Sequence, residues 1–337
     1  MGSEYTSIPS GEAPSGDLTL MTVMQRFPTE EAARDYFEAL RWPNGPVCPH
    51  CGNGEAGRIY KVTANKKKKI RDGLYKCAAC DLTFTVTVGT VMEDTHLPLN
   101  KWLSAFYMMC ASKTQVSASR LQRQLEIGSY RTAWFLCHRI RYALKEVCPR
   151  AVLEGTVETD ETHAGGKVRG RGRGYAKNKT AVVSLVERNS DVRSHAVDDV
   201  NSESMKKIIS KNVDSSAYSN TDQSLIHTEA DRHFVTHDVI NRSAEEYART
   251  EKMTVRKASS ETAEGFFGNS KQSIDGTHHH VSKDHAHLYF SELDYKYNTR
   301  AVTGGARPLG GVKKMEGKRL MLHRPKKALN TPSDGAR

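Results

Sequence analysis

No stretch of this 337-residue chain approaches the roughly eighteen consecutive apolar residues that a spanning helix needs, and the start, MGSEYTSIPSGEAPSGDL, lacks a basic segment followed by an apolar core. A membrane span and a secretory signal are both missing, so a cytoplasmic protein is expected. A disulfide framework is missing too: seven cysteines is an odd number, and four of them form two identical C-x-x-C pairs. Global disorder is excluded, because 37% hydrophobic residues and 25 glycines bring the chain close to the composition of globular proteins. The length suits two or three domains.

What the chain does have is positive charge, 50 Lys and Arg against 39 Asp and Glu, or +11. Such a balance favours a polyanionic partner. From Ala301 onward, nine Lys or Arg oppose only Glu316 and Asp334. Residues 304–337 therefore read as a basic C-terminal tail, either a phosphate-binding arm or a solvated one. Residues 1–26, rich in Gly, Ser and Pro at their start, read as disordered.

Residues 27–95 form the first expected domain. Thr29 to Leu40 has the period of an amphipathic helix, ended by Pro43 and Asn44-Gly45. Cys48-Pro-His-Cys51 and Cys77-Ala-Ala-Cys80 follow, each with a turn-forming Gly or Asp just behind it. Two such knuckles bring four thiolates to one tetrahedral Zn²⁺, and the intervening strand-like segments suggest a zinc ribbon. A four-thiolate site is closed, so the metal holds the fold and leaves the chemistry elsewhere. The LTFTVTVGTV run after Asp81 reads as strand. Lys66 to Lys69 are either a phosphate grip or an exposed hairpin tip.

Residues 96–150 switch to helical period. Ser117 to Leu125, a short break and Tyr130 to Arg141 resemble a helix-turn-helix, whose second helix would present Arg131, His138, Arg139 and Arg141 to DNA. The plainer alternative is a helical linker packed by its aromatics. Cys110, Cys137 and Cys148 lack metal spacing and read as buried apolar residues.

Residues 151–303 alternate strands and helices. AVLEGTVETDET is a strand ending in acids; TAVVSLVER and DVRSHAVDDV form a hairpin through Asn189-Ser190; SESMKKIISKNV is helical; SSAYSNTD is a fourth strand; HFVTHDVI is a candidate fifth. This order suggests an α/β domain of the ribonuclease-H type, and the whole reads as that domain preceded by a zinc ribbon and a helical region. Asp160 and Asp222 end the first and fourth strands. Glu261 and Glu264 share a face of a late helix, with Lys271 two turns beyond Glu264. Acids so placed can hold two divalent ions over a phosphodiester. Glu161 points to the opposite strand face from Asp160. Between the first two strands, Gly165 to Lys179 carries Lys167, Arg169, Arg171 and Arg173 without an acid, a DNA-backbone arm that is no P-loop. His278 to His280 read as surface or DNA-facing, and Val281 to Arg300 as an amphipathic helix with Leu288, Phe290, Leu293 and Tyr297 inside and Asn298 and Arg300 toward DNA.

Together, VETDETHAGGK, TDQS, TAEGFFGNSK, GTHHHVSKDHAHLYFSELDYKYNTR and the CPHC/CAAC pairs resemble bacterial insertion-sequence DDE transposases with an N-terminal zinc ribbon. The resemblance runs from about Phe27 to Arg300. It implies a ribonuclease-H-like core, cleavage and strand transfer dependent on Mg²⁺ or Mn²⁺, and element-end and target DNA as partners. It also implies a homodimer or higher oligomer on DNA, at the nucleoid. The family's first two acids fall on Asp160 and Asp222; the third falls on Glu264, with Glu261 as the rival.

Overall fold

The computed structural model describes residues 19–146 save 66 and 68, then 151–165, 179–222, 236–240, 249–251, 256–258, 261–279 and 281–322. The first helix, α1 (Leu20–Arg26), lies inside the segment expected to be disordered. Thr19 caps it by accepting from the Thr22 N–H, and Val23 and Phe27 enter the core. Helix α2 (Glu30–Arg41) follows the sequence pattern. Thr29 is its cap, Glu30 and Glu31 face the positive end of its dipole, and Ala33, Tyr36 and Phe37 are buried.

Strands β1 (Ile59–Lys61), β2 (Tyr75–Cys77) and β3 (Thr83–Phe84) form an antiparallel sheet in that order. Trp42 meets Tyr75 and Phe84 edge-on at 5.4 and 5.7 Å. β3 stops far short of the strand expected through Val91. Val86, Val91 and Met92 turn into the core, and the Arg41 guanidinium donates to the carbonyls of Val86 and Val88, replacing the bonds a neighbouring strand would have made.

Helices α3 (Leu99–Ala111), α4 (Ala118–Gln124) and α5 (Tyr130–Leu144) share one continuous core with the ribbon. Val312 and Met315 join it from the far end of the chain. Residues 304–322 are therefore not a free tail: a short helix, Arg307–Lys313, packs on α3, with Gly311 close enough that a Cβ would strike Cys110 Sγ at 2.8 Å.

The second half is a five-stranded sheet of β4 (Thr156–Gly165), β5 (Lys179–Glu187), β6 (Val192–Val197), β7 (Tyr218–Asp222) and β8 (Thr236–Ile240), in the order β6-β5-β4-β7-β8. The first three are antiparallel, and β7 and β8 run parallel to β4. The turn at Asn189, φ +62°, closes the expected hairpin. Alternation sends Val157, Val183 and Leu185 to one face, under α6 (Ser202–Asn212), and Ala164, Val182 and Val186 to the other. That other face is covered by α7 (Glu261–Thr277) and α8 (Ala286–Asn298). Strands β9 (Arg249–Glu251) and β10 (Arg256–Ala258) pair separately, and the Arg307–Lys313 helix is α9.

A buried polar junction joins the halves. Glu292 on α8, fully buried, accepts from Arg141 Nε at 2.8 Å and from Lys296 Nζ at 2.8 Å. Gln115, in the α3–α4 loop, donates to Glu292 and to the Tyr289 carbonyl, while its own N–H donates to Ser273 on α7. His138 and His278 pack on Tyr289 beside Arg141. His278 is thus internal to this junction, and Asn298 bonds both backbone groups of Val192 at the sheet edge, so neither takes the DNA-facing place expected of it.

Removing one partner of a buried pair strands the other charge, so Glu292→Gln should cost about 3–5 kcal/mol in chemical denaturation. Burial also lowers the His138 pKa to about 3 and the His278 pKa to about 4. Between roughly pH 6.5 and those values the unfolded chain binds more protons, so stability present above pH 6.5 is lost on acidification. Asp294, pushed by burial up to about 7, works in the opposite direction. Substituting His138→Gln should therefore flatten the acid fall in stability relative to the parent chain, measured by thermal melts from pH 7 to 4.

Candidate active site and metal centre

The four ribbon cysteines come together with their sulfurs within 4.8 Å of one another. The Cys48–Cys80 and Cys51–Cys77 sulfur separations are both 3.7 Å, close to the roughly 3.8 Å edge of a tetrahedron with 2.3 Å Zn–S bonds. Gly52 (φ +73°) and Asp81 (φ +60°) make the two tight turns. The Cys48 N–H donates to the Asn53 carbonyl and the Cys77 N–H to the Leu82 carbonyl, closing each knuckle. The donor set and its spacing fit a closed, structural zinc.

The acids read from the sequence belong to β4, β7 and the helix Glu261–Thr277. β4 and β7 pair in parallel with Thr159 opposite Thr221, which puts Asp160 and Asp222, one residue further along each strand, at the same level of the sheet. Asp160 lies two residues after Glu158 and four before Ala164, which packs in the core under α7 and α8. It therefore faces the α7 side, and Glu161 faces the α6 side. The Asp160 carboxylate accepts the Glu161 N–H at 2.8 Å. Across the sheet from Asp160, Ser184 pairs in register; its hydroxyl meets that of Ser194 at 2.8 Å, and Ser194 donates to Asp294.

Helix α7 begins against this face. Glu158, fully buried, accepts the N–H groups of Thr262 and Ala263 at 2.8 and 2.9 Å and the Arg188 Nε at 2.6 Å. Glu264 comes next on the helix and is exposed, as is Lys271 two turns on, so the two share an open face. Glu261 is the first residue of α7; its side chain and that of Asp222 lie outside the described atoms.

The basic residues divide. Arg131 is exposed at the start of α5 beside Tyr130 and Thr132, and Arg120 and Arg123 are exposed on α4. Arg139 and Arg141, expected to face DNA, are interior. Arg139 lies over the Trp102 and Phe135 rings and donates to the Glu93 carbonyl. Arg141 lies 3.9 Å over Tyr289 and binds Glu292. Two residues apart on a helix, they point to opposite sides, and both sides of α5 are covered here. Lys167, Arg169, Arg171 and Arg173 lie outside the described residues; their segment is tethered at Gly165 and Lys179, paired ends of β4 and β5. Glu158, the Glu292 junction and Asp294 escape a reading by composition. Their only sequence signals are even spacing from Asp160 and the i,i+4 spacing of Glu292 and Lys296.

Chelation of the zinc, or Cys77→Ser, should release the ribbon. Because Trp42, Tyr75 and Phe84 pack on it, the expected readouts are loss of about one zinc per chain by atomic emission and a red shift of tryptophan fluorescence.

Residues 28–83 match a transposase zinc-ribbon domain family, and residues 152–298 match the ISXO2-like transposase domain family. The chain is also 30% identical over 188 residues to a protein of Halobacterium salinarum described as an uncharacterized protein in transposable element ISH50. That match covers 51% of this chain and 60% of the relative. No helix among the described residues is long and apolar enough to cross a membrane. In chain order, then, a segment similar to transposase zinc-ribbon domains is followed by one similar to ISXO2-like transposase domains.

Proposed function

We propose that the chain is a DDE transposase that binds the ends of its element and cuts and joins DNA with Asp160, Asp222 and Glu264. The observation that carries this reading is the β4–β7 register, which levels Asp160 with Asp222 on the strand against which α7 is anchored. The sheet order, three antiparallel strands flanked by two parallel ones, supports a ribonuclease-H-like core.

Three carboxylates are hard oxygen donors and suit Mg²⁺ or Mn²⁺. When bound, such ions would lower the pKa of the attacking water or 3′-hydroxyl and stabilise the leaving oxygen. The chain's own groups do the rest. Asp160, oriented by the Glu161 N–H, and Asp222 present carboxylates from the sheet, Glu264 presents one from α7, and Lys271 meets a phosphate on the same helix face. Glu264 is preferred to Glu261 because it shares its exposed face with Lys271.

DNA would be gripped on three surfaces. The first turn of α5, with Tyr130, Arg131 and Thr132, and Arg120 and Arg123 of α4 take the role first given to the whole helix, in keeping with recognition helices that read bases near their N-termini. Lys167, Arg169, Arg171 and Arg173 supply four cations for a DNA backbone. Two protomers, one per element end, complete the assembly in the bacterial nucleoid.

The test uses labelled duplexes taken from the DNA flanking this coding sequence, with Mg²⁺. Asp160→Asn and Glu264→Gln should each lower cleavage by about a hundred-fold or more while end binding persists, and Glu261→Gln by less than about ten-fold. The reverse order for the two glutamates would move the third acid to Glu261. Cleavage without joining would mark a nuclease, and end binding with no nicking at all would mark a DNA-binding protein.

A further inference from the structure

We propose that Glu158 is a positioning residue for the reaction, setting the distance between the sheet acids and the helix acid without touching substrate. The proposal rests on the reading of Asp160 and Glu264 as metal-holding acids. Its basis is the set of bonds at one buried carboxylate. Glu158 has no exposed surface, yet each of its oxygens is engaged. One accepts from Arg188, just past the end of β5. The other accepts two N–H groups of the first turn of α7, those of Thr262 and Ala263. These amides have no partner within their own helix, and they form its positive end, so the carboxylate satisfies both a hydrogen-bonding and an electrostatic need.

Two short covalent paths make this an aligning device. On β4, Asp160 follows Glu158 by two residues and shares its face. On α7, Glu264 follows Ala263 directly. The Glu158 to Ala263 bond thus gives a short connection between the two acids. Along the chain they are separated by all of β5 to β10. Arg188 also ties the same carboxylate to the β5–β6 turn, and its own N–H donates to the Thr156 carbonyl, so the anchor cannot swing with the strand end. Two-metal chemistry tolerates displacements of only about 0.5 Å in its ligands. A carboxylate buried at this cost, on the sheet face carrying Asp160 and with no route to substrate, matches that requirement.

The test compares Glu158→Ala, Glu158→Gln and Thr262→Pro in the full chain. Glutamine keeps a carbonyl oxygen for the helix amides and loses the arginine pair. Proline removes one amide at a first-turn position that tolerates it and leaves Glu158 intact. The readouts are Mn²⁺ affinity of the DNA-bound protein by electron paramagnetic resonance, the Mg²⁺ dependence of cleavage, and zinc content and end binding as controls for the fold. Expected are at least a ten-fold fall in cleavage and a five-fold weakening of Mn²⁺ binding in Glu158→Ala, a smaller shift of the same kind in Thr262→Pro, and near-parent metal affinity in Glu158→Gln. Should Glu158→Ala not fold, Thr262→Pro carries the same test. Parent-like Mn²⁺ affinity and cleavage in Glu158→Ala and Thr262→Pro, with Asp160→Asn inactive, would overturn the positioning role and leave the assignment of the acids standing. Full activity of Asp160→Asn would instead overturn that assignment.

Discussion

The buried Glu292 carboxylate is the constraint on which the arrangement of the halves depends. It sits on α8 and is held by Lys296 on its own helix and by Arg141, which comes from α5. An isolated carboxylate at full burial would be prohibitive, and two buried cations without it would be worse; the three charges are tolerable only together. Gln115 and the Thr114 carbonyl close the remaining valences from the α3–α4 loop. The helical region therefore meets the half that carries the five-stranded sheet through a network that needs every partner in place, and a loose hinge at this point is chemically disfavoured. The start of α5, where DNA contact is proposed, and α8, which covers the five-stranded sheet, are in this way parts of one packed unit.

The same arrangement explains how the arginines of α5 divide. A recognition helix can offer bases only the part that leaves the core. Here that part is the first turn, because further along Leu136, Cys137, Ile140 and Leu144 are buried, and Arg139 and Arg141 lie among them over aromatic rings. Guanidinium is well suited to this, being planar, weakly hydrated and able to stack while donating at its edge. The positive charge of α5 serves mostly to bind the protein to itself.

How much of this was legible in the sequence follows from the range of each signal. The cysteine knuckles, α2, α6 and the strand that ends at Asp222 are local patterns, and the structure places them where the spacing said; Asp160 does not end its strand, because β4 runs on to Gly165 in register with β5. The brevity of β3 was not legible, since Val86 and Val91 suit a strand and a core turn equally; what decides is Arg41, more than forty residues away in sequence, taking the carbonyls. Arg139 and Arg141 misled because a helix rich in arginine beside a turn looks like a DNA reader, although their i,i+2 spacing already forbids a common face. Glu158 was hidden in an acidic run, VETDET, whose exposed-looking composition conceals a strand with one buried side.

The C-terminal basic segment carries the same lesson about charge. Lys318 donates to the carbonyls of Ala143 and Lys145, capping the end of α5, and burial lowers its pKa to about 8. Arg319 pairs with Glu93 and Asp94, Lys314 with Glu146, and Glu316 bridges in strand fashion to Thr90 while accepting from Arg41. The segment after α8 thus returns to the ribbon and stitches the first core shut. Four of the cations that seemed to form an arm, Arg307 included, are engaged with groups of this chain. A net charge of +11 therefore overstates what is offered to DNA on the described surface. It follows that salt dependence of DNA binding should be set by few residues, those of α4, the start of α5 and the segment between β4 and β5, rather than by the charge of the chain as a whole.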